Sequence, residues 1–323
     1  MSMPRDVDAH EAAAMLEAAS SVTVLCHVNP DADALGSALG IAISLHRAGT
    51  PVQVAFATPA EPTESLTSLP GCELLVAPED VADEVDLLVA VDCGSMGRLG
   101  VLRDRAEGAG QTLVIDHHAS NTHFGDANFV DTAAESTTVL VSDVLDAWGV
   151  PIDETLAHCL YAGLVTDTSS FRRARPHTHE LAARFIAAGI DPVAVSRPLM
   201  NTHPFGWLGM LSRVLGAAVL DRSAAGGQGL AYAVVRSADA VGLRAEETES
   251  VVDLVATASE AEVAAVVKQS GPQCWTVSLR AKSTVDVAVV ASELGGGGHR
   301  LAAGYPAAGT VEEVIAALRR ALG

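Results

Sequence analysis

An α/β fold in two parts is predicted: a larger N-terminal domain with a mostly parallel sheet flanked by helices, and a smaller C-terminal α/β domain. Three observations lead there. Short, near-continuous apolar runs bounded by turn residues alternate with segments of helical apolar spacing over the first two-thirds of the sequence, the mark of strands buried on both faces between helices. Prolines and a glycine punctuate residues 189–207, and the pattern that resumes beyond them is different. The 323 residues also exceed the roughly 100–200 of a single domain.

In order, VTVLC (22–26) reads as the first strand, and LGSALGIAISLHRAG (35–49) as a helix stopped by its glycine. PVQVAF (51–56), DLLVAVD (86–92) and QTLVID (111–116) read as further strands, ESTTVLVSDVLDAWG (135–149) and ETLAHCLYAGLVTDT (154–168) as helices. The first domain is placed at 1–195 and a linker at 196–224, with FGWLGMLSRVLGAAVL (205–220) as its connecting helix. In the second domain, 225–323, strands are expected at LAYAVV (230–235), EVAAVVK (262–268) and CWTVSLR (274–280), with a helix at ETESVVDLVATA (247–258). VDVAVVASELGGGGH (285–299) reads as a helix running into glycines, and TVEEVIAALRRAL (310–322) as a closing helix.

Composition narrows the function. Hydrophobic residues make up 49% and charged ones 19%, the balance of a globular protein with a sizeable core. The net charge of −20 argues against a broad surface for long duplex nucleic acid, which needs many Lys and Arg contacts to phosphates. No apolar run approaches the roughly 20 residues of a membrane span, and the N-terminus has no leader-like stretch, so a cytoplasmic protein without a membrane partner is expected. Cys26, Cys72, Cys93, Cys159 and Cys274 form no C-x-x-C pair and read as reduced, mostly buried small hydrophobes.

Four motifs fall at similar places. CHVNPDADA (26–34) follows the first strand, Asp92 ends strand 86–92, Asp116-His117-His118 ends strand 111–116, and Asp167 lies near the end of a helical run. In a parallel sheet the carboxyl ends of the strands share one edge, where ligands bind. His27, Asp31, Asp33, Asp92, His117 and Asp167 gathered there would repel and desolvate one another unless something positive sat among them. Two divalent cations sharing one carboxylate answer that need, and mostly oxygen donors with one or two imidazoles suit Mn²⁺ or Mg²⁺. Taken singly, each motif has an ordinary reading: Asp33 could cap the helix near Leu35, and Asp92 could be a turn residue. The Asp116-His117-His118 triplet closing a buried strand serves no packing purpose.

His27-x-Asn29-Pro30-Asp31-x-Asp33-Ala34, the isolated Asp92, Asp116-His117-His118, Thr166-Asp167-Thr168 and the late Gly295–His299 run, in this order, resemble the DHH phosphoesterase superfamily. More narrowly they resemble its oligoribonuclease and pAp phosphatase subfamily, which degrades very short RNAs and dephosphorylates 3′-phosphoadenosine 5′-phosphate (pAp). Some members cleave cyclic di-AMP or its linear product pApA. The resemblance spans nearly the whole chain. It implies a DHH domain with two metal ions, Mn²⁺ first and Mg²⁺ or Co²⁺ as alternatives, and a DHH-associated domain closing over the substrate. His27, Asp31 and Asp92 would hold one ion, and Asp33, Asp92, His117 and Asp167 the other. Metal-activated hydroxide would attack phosphorus, with Asp92, His118 and Asp116 as the catalytic group: His118 reaching the phosphate, Asp116 orienting a neighbouring histidine. A homodimer is also suggested.

Gly295 to Gly298 let the backbone approach an anion closely and form a phosphate-binding concavity, although a glycine run can equally be a turn. The resemblance assigns phosphate or nucleotide gripping to Arg280, Gly296, Gly297, Gly298 and His299. This chain reads RAKS at 280–283 where relatives more often show RS. Arg98, Ser169 and Phe171 are further substrate candidates, Phe171 by stacking a base or, alternatively, as core packing. Arg172, Arg173 and Arg175 form the densest basic run, read as a solvated helix end or a steering patch. Two rivals stand beside a short-oligonucleotide phosphoesterase. A family II inorganic pyrophosphatase would carry a Ser-Arg-Lys-Lys-type run, which is not found; a sensor would bind a nucleotide second messenger without turnover.

Overall fold

The computed structural model describes residues 4–323. The chain divides into two compact units, one ending at Thr202 and one spanning His203–Gly323.

The first unit runs β1 (Arg5–Asp6), α1 (Ala9–Ala18), β2 (Val22–Leu25), α2 (Ala32–Ala48), β3 (Val52–Ala55), β4 (Leu87–Val91), α3 (Arg103–Gly108), β5 (Gln111–Asp116), β6 (Ala127–Val130), α4 (Thr137–Trp148), α5 (Glu154–Asp167), α6 (Pro176–Ala187) and α7 (Pro192–Met200). Its sheet has the order β1-β6-β5-β4-β2-β3 with every neighbouring pair parallel. Successive strand residues point to opposite faces, and both faces are covered. Val22, Val24, Leu87, Val89, Leu113 and Ile115 meet the side of α1, α2, α4 and α5, while Leu25, Leu88, Ala90 and Val114 meet Leu99, Leu102 and Ala106. This is why those strands read as unbroken apolar runs. The chain leaves β2 toward β3 on one side and β4 toward β5 on the other. The carboxyl ends of β2 and β4 therefore flank the crevice that such a reversal of strand order opens.

Helix α2 starts where Asp31 caps it, its Oδ1 accepting the backbone N–H of Asp33 and Ala34 at 3.0 Å each, and it stops at Gly49 with φ 87°. It packs tightly on α5. A Cβ at Gly36 would lie 2.4 Å from the Cys159 carbonyl oxygen, and one at Gly163 would lie 2.8 Å from the Asp33 Cα, so neither position admits a side chain without separating the helices.

The second unit runs α8 (Gly206–Gly216), β7 (Val219–Asp221), β8 (Leu230–Val235), α9 (Ala245–Glu249), α10 (Val251–Val255), β9 (Val263–Gly271), β10 (Cys274–Ala281), α11 (Val287–Glu293), β11 (Gly297–His299), β12 (Ala302–Ala308) and α12 (Val311–Leu322). Its sheet order is β11-β12-β10-β9-β8-β7, with β8 and β9 parallel and the other pairs antiparallel. Ala265, Val267, Val277 and Leu279 face Val287, Val290, Val314 and Leu318, whereas Ala233, Ala264 and Val266 face Met210, Val214, Val251 and Val255.

Several expectations are corrected. The helix expected over 205–220 ends at Gly216, a poor helix former, and β-branched Val219 pairs with Tyr232 as a strand. The helix expected over 247–258 is two short helices meeting at Ser250. The segment 285–299, read as a helix running into glycines, has its helix at Val287–Glu293, and the glycine run goes on into edge strand β11, an element not expected there. A Cβ at Gly296 would lie 2.1 Å from the Gly304 carbonyl oxygen, and one at Gly298 would lie 2.6 Å from that of Ala302, so this hairpin is closed by glycine. The prolines of 189–207 do not exclude a helix: Pro192 begins α7, where a missing N–H costs nothing.

Among the described residues no helix is long and apolar enough to cross a membrane. All five cysteines are free; Cys26, Cys93 and Cys159 are buried and Cys274 is exposed.

Candidate metal centre

Three strand ends and two helix ends deliver the acidic and imidazole groups of the first unit to one place. His27 follows β2, and Asp31 and Asp33 open α2. Asp92 follows β4 in a left-handed conformation, φ 55°, which a non-glycine residue adopts at a cost. Asp116 ends β5, followed by His117 and His118, and Asp167 ends α5.

Asp92 is the common member. Its Oδ2 lies 3.4 Å from His27 Nε2, and its Oδ1 lies 3.6 Å from both His117 Nε2 and His118 Nδ1. His27 Nε2 is also 3.9 Å from Asp31 Oδ2, and His117 Nε2 is 3.3 Å from Asp167 Oδ2 and 3.9 Å from Asp33 Oδ2. Potential ligand atoms of His27, Asp31 and Asp92 all lie within 4.8 Å of one another, and the same holds for Asp33, Asp92 and His117. The two histidines are oriented alike: His27 Nδ1 is 2.8 Å from the Val28 carbonyl and His117 Nδ1 is 3.2 Å from that of Ala134. With Nδ1–H donating to a backbone carbonyl, Nε2 of each ring is the nitrogen turned to the carboxylates, and it is the one that would give its lone pair to a metal on losing its proton. His118 differs, its Nδ1 bound by Asp116 Oδ1 at 2.7 Å.

The electrostatics is that of crowded carboxylates. Burial, then the neighbouring Asp92 and Asp167, pushes the Asp33 carboxyl well above its ordinary range. Burial also raises Asp167, against the hydrogen bond to His117. Asp92 goes the other way: burial would raise it, but the His27 hydrogen bond and the His118 and His117 rings hold it well below. His117, which burial would lower, is pushed up to about 10 by Asp167, Asp33 and Asp92. Four carboxylates around two inward-facing imidazole nitrogens form a hard, oxygen-rich donor set, which suits a divalent cation.

Sequence reasoning missed three members of this neighbourhood. Thr137 donates its hydroxyl to Asp92 Oδ1 at 2.8 Å and its N–H to Asp33 Oδ2 at 2.6 Å, while Thr138 N–H donates to Asp33 Oδ1 at 2.9 Å. Asn121 Nδ2 donates to Asp116 Oδ2 at 2.5 Å and to the Cys93 carbonyl at 3.3 Å, fixing the carboxylate that holds His118.

The remaining candidates are spread more widely. Arg98 is exposed, and its carbonyl accepts the Val28 N–H, which places its backbone beside His27. Ser169, Ser170 and Phe171 form a run of left-handed residues, φ 52°, 58° and 64°, directly after the end of α5. The Phe171 ring stacks on His179 at 5.6 Å and tilts against Tyr161 at 5.9 Å, as a packed side chain does. Arg172, Arg173 and Arg175 sit in the loop before α6: Arg173 donates to the Asp167 carbonyl, and Arg175 pairs with Glu135. In the second unit Arg280 Nε donates to Asp253 Oδ1 at 2.9 Å, and Gly297 and His299 lie on β11.

Comparison with known proteins agrees with this geometry. Residues 21–164 match the DHH family, N-terminal domain, and residues 227–323 match the DHHA1 domain. The bifunctional oligoribonuclease and PAP phosphatase NrnA of Thermus thermophilus is 28% identical over 309 residues, covering 93% of this chain and 90% of that protein. The cyclic-di-AMP phosphodiesterase GdpP of Geobacillus thermodenitrificans is 28% identical over 318 residues, 91% of this chain but 45% of that protein. The crystal structure of an exopolyphosphatase-related protein from Bacteroides fragilis shares the fold, with a TM-score of 0.87 at 22% identity over 97% of this chain and 95% of that one. The chain belongs to the DHH phosphoesterase family, as a hydrolase with a DHH domain followed by a DHHA1 domain.

Proposed function

We propose that this protein hydrolyses short oligoribonucleotides such as pApA, and pAp, to mononucleotides, and that cyclic di-AMP is a further substrate of the same centre. The observation that supports this reading best is the placement of Asp92, whose two oxygens face two separate imidazoles, those of His27 and His117, so that one carboxylate belongs to two donor groups. His27, Asp31 and Asp92 would hold one ion, and Asp33, Asp92, His117 and Asp167 the other; manganese is the metal proposed, ahead of magnesium and cobalt. Such a pair supplies Lewis-acid polarisation of the phosphoryl group and an activated water.

The chain's own part is positioning. Asp116, fixed by Asn121, holds His118 by Nδ1 and so sets the ring whose Nε2 would hydrogen-bond a phosphoryl oxygen. Arg280 and the Gly296–His299 segment grip a second phosphate. A Cβ at Gly297 would meet nothing within 4 Å, unlike those at Gly296 and Gly298, so packing does not demand glycine there and the backbone is open to a ligand's close approach. Arg98 and Ser169 flank the substrate, and Phe171 serves by holding the loop after Asp167. A ligand with few phosphates fits a chain of net charge −20, since it needs few cationic contacts. The names of the NrnA and GdpP relatives point to the same substrate class.

The test is product release from pApA, pAp, cyclic di-AMP and pyrophosphate with Mn²⁺. Turnover of pApA and pAp without turnover of pyrophosphate is expected. Turnover of pyrophosphate alone, or recovery of every nucleotide unchanged, overturns the reading.

A further inference from the structure

We infer that Thr137 is a positioning residue that locks the shared carboxylate of Asp92 to the buried carboxylate of Asp33, so that the two donor groups keep a fixed relation; this rests on the two-cation reading above. Thr137 is fully buried at the first turn of α4. An α-helix begins with backbone N–H groups that have no partner within the helix, and a side chain at its own N-cap is the usual remedy. Here the N-cap residue, Ser136, makes no such bond, and its hydroxyl lies 2.7 Å from Thr138 Oγ1 instead. The two N–H groups of Thr137 and Thr138 go to the two oxygens of Asp33, a residue of α2. Thr137 then spends its one hydroxyl proton on Asp92 Oδ1 at 2.8 Å.

One residue thus grips two carboxylates that arrive from different elements, the start of α2 and the end of β4. Asp33 is held at both oxygens and does not swing. Asp92 sits on a left-handed backbone with His27 on its Oδ2 side and His117 on its Oδ1 side. Its carboxylate plane can turn about the Cβ–Cγ bond, a broad, soft rotation. The Thr137 hydroxyl is the neutral donor that selects which oxygen faces which imidazole. A threonine at a helix start is otherwise unremarked, and burial alone would be served equally by valine.

The full chain is compared as wild type, Thr137→Val and Thr137→Ser. Mn²⁺ binding is read by the loss of the free-ion electron paramagnetic resonance signal, and kcat and KM are measured for pApA at saturating Mn²⁺. Thr137→Val keeps shape and burial and loses only the hydroxyl. It is expected to weaken Mn²⁺ binding about 10- to 100-fold, the usual effect of losing a partner that orients a ligand, and to lower kcat with KM changed less than about threefold. Thr137→Ser restores both. If circular dichroism shows that the valine variant does not fold, Thr137→Ala against Thr137→Ser gives the same contrast. Unchanged Mn²⁺ affinity and kcat in the folded valine or alanine variant, or a folded serine variant that fails to restore them, overturns the inference alone. A wild type that binds no Mn²⁺ overturns the two-cation reading and the inference with it. A wild type that binds two ions yet hydrolyses no nucleotide overturns only the substrate, and a weakened valine variant then still supports the role of Thr137.

Discussion

Asp33 in the first unit and Glu247 in the second are both completely buried carboxylates, and their surroundings are opposite. Glu247 receives Arg244 Nε at 3.0 and 3.1 Å, the Arg244 N–H at 3.0 Å, and has His203 Nδ1 at 3.6 Å. Burial would raise its carboxyl, but Arg244 and then His203 outweigh that and hold it below its ordinary range. Asp33 accepts two backbone N–H groups but stands among Asp92 and Asp167, and burial plus those neighbours push it up. A carboxylate buried for the sake of the fold comes with its own counter-charge. One buried among its own kind is compensated only when a cation arrives from outside, which is why the first environment reads as structure and the second as a site.

The comparison breaks first at Asp92. Asp92→Ala is expected to reduce nucleotide turnover by at least about a thousandfold and to lower the Mn²⁺ retained after gel filtration, read by plasma mass spectrometry, because it removes the one carboxylate common to both donor groups. Full turnover in that variant would end the two-cation reading.

Gly163→Ala tests whether packing of the first unit sets the site. The new Cβ would lie 2.6 Å from both Asp33 Oδ1 and Thr138 Cγ2, so α2 and α5 must part. We expect a loss of about 1–3 kcal/mol in urea unfolding together with a fall in kcat of roughly tenfold or more. Loss of stability with unchanged kcat would separate packing from chemistry.

Glu247→Gln probes the other side of the comparison. It should cost about 2 kcal/mol at pH 7 with kcat unchanged, since the buried charge-assisted bond it loses belongs to the packing of the second unit. Because the folded carboxyl lies below its unfolded value, its contribution is present above the unfolded glutamate value of about 4.3 and fades as pH falls through the folded one. Urea midpoints of wild type and variant should therefore converge in acid and stay apart at neutral pH. Smallest of all, Gly216→Ala in the last turn of α8, where a Cβ meets nothing within 4 Å, should stabilise by about 0.5 kcal/mol.

The sequence displayed the parts of this protein whose physics is local. Strands β2, β4 and β5 were legible because both their faces are buried, which leaves no polar residue to blur the run. Strand β12 was not: apart from Tyr305, Ala302–Ala308 is alanine, glycine and a proline, and its partners make it a strand. Pro306 is tolerated because β11 pairs only with Ala302, Ala303 and Gly304, so at Pro306 that side of the strand has no ladder to donate to. The site divides the same way. Aspartates and histidines at strand ends stand out because they have no reason to close a buried strand. Thr137 and Asn121 do not, since a threonine before a helix and an asparagine in a turn are ordinary, and only the fold reveals what they hold.

The donor residues are drawn from five segments between His27 and Asp167, and sheet order, not chain order, brings them together. A growing polypeptide therefore completes the group of His27, Asp31 and Asp92 first, and the group of Asp33, Asp92, His117 and Asp167 only when α5 has left the ribosome. Completion of the second group is in this sense a mark of finished synthesis of the first unit, and a chain truncated at the start of α5 would be born with the first group alone.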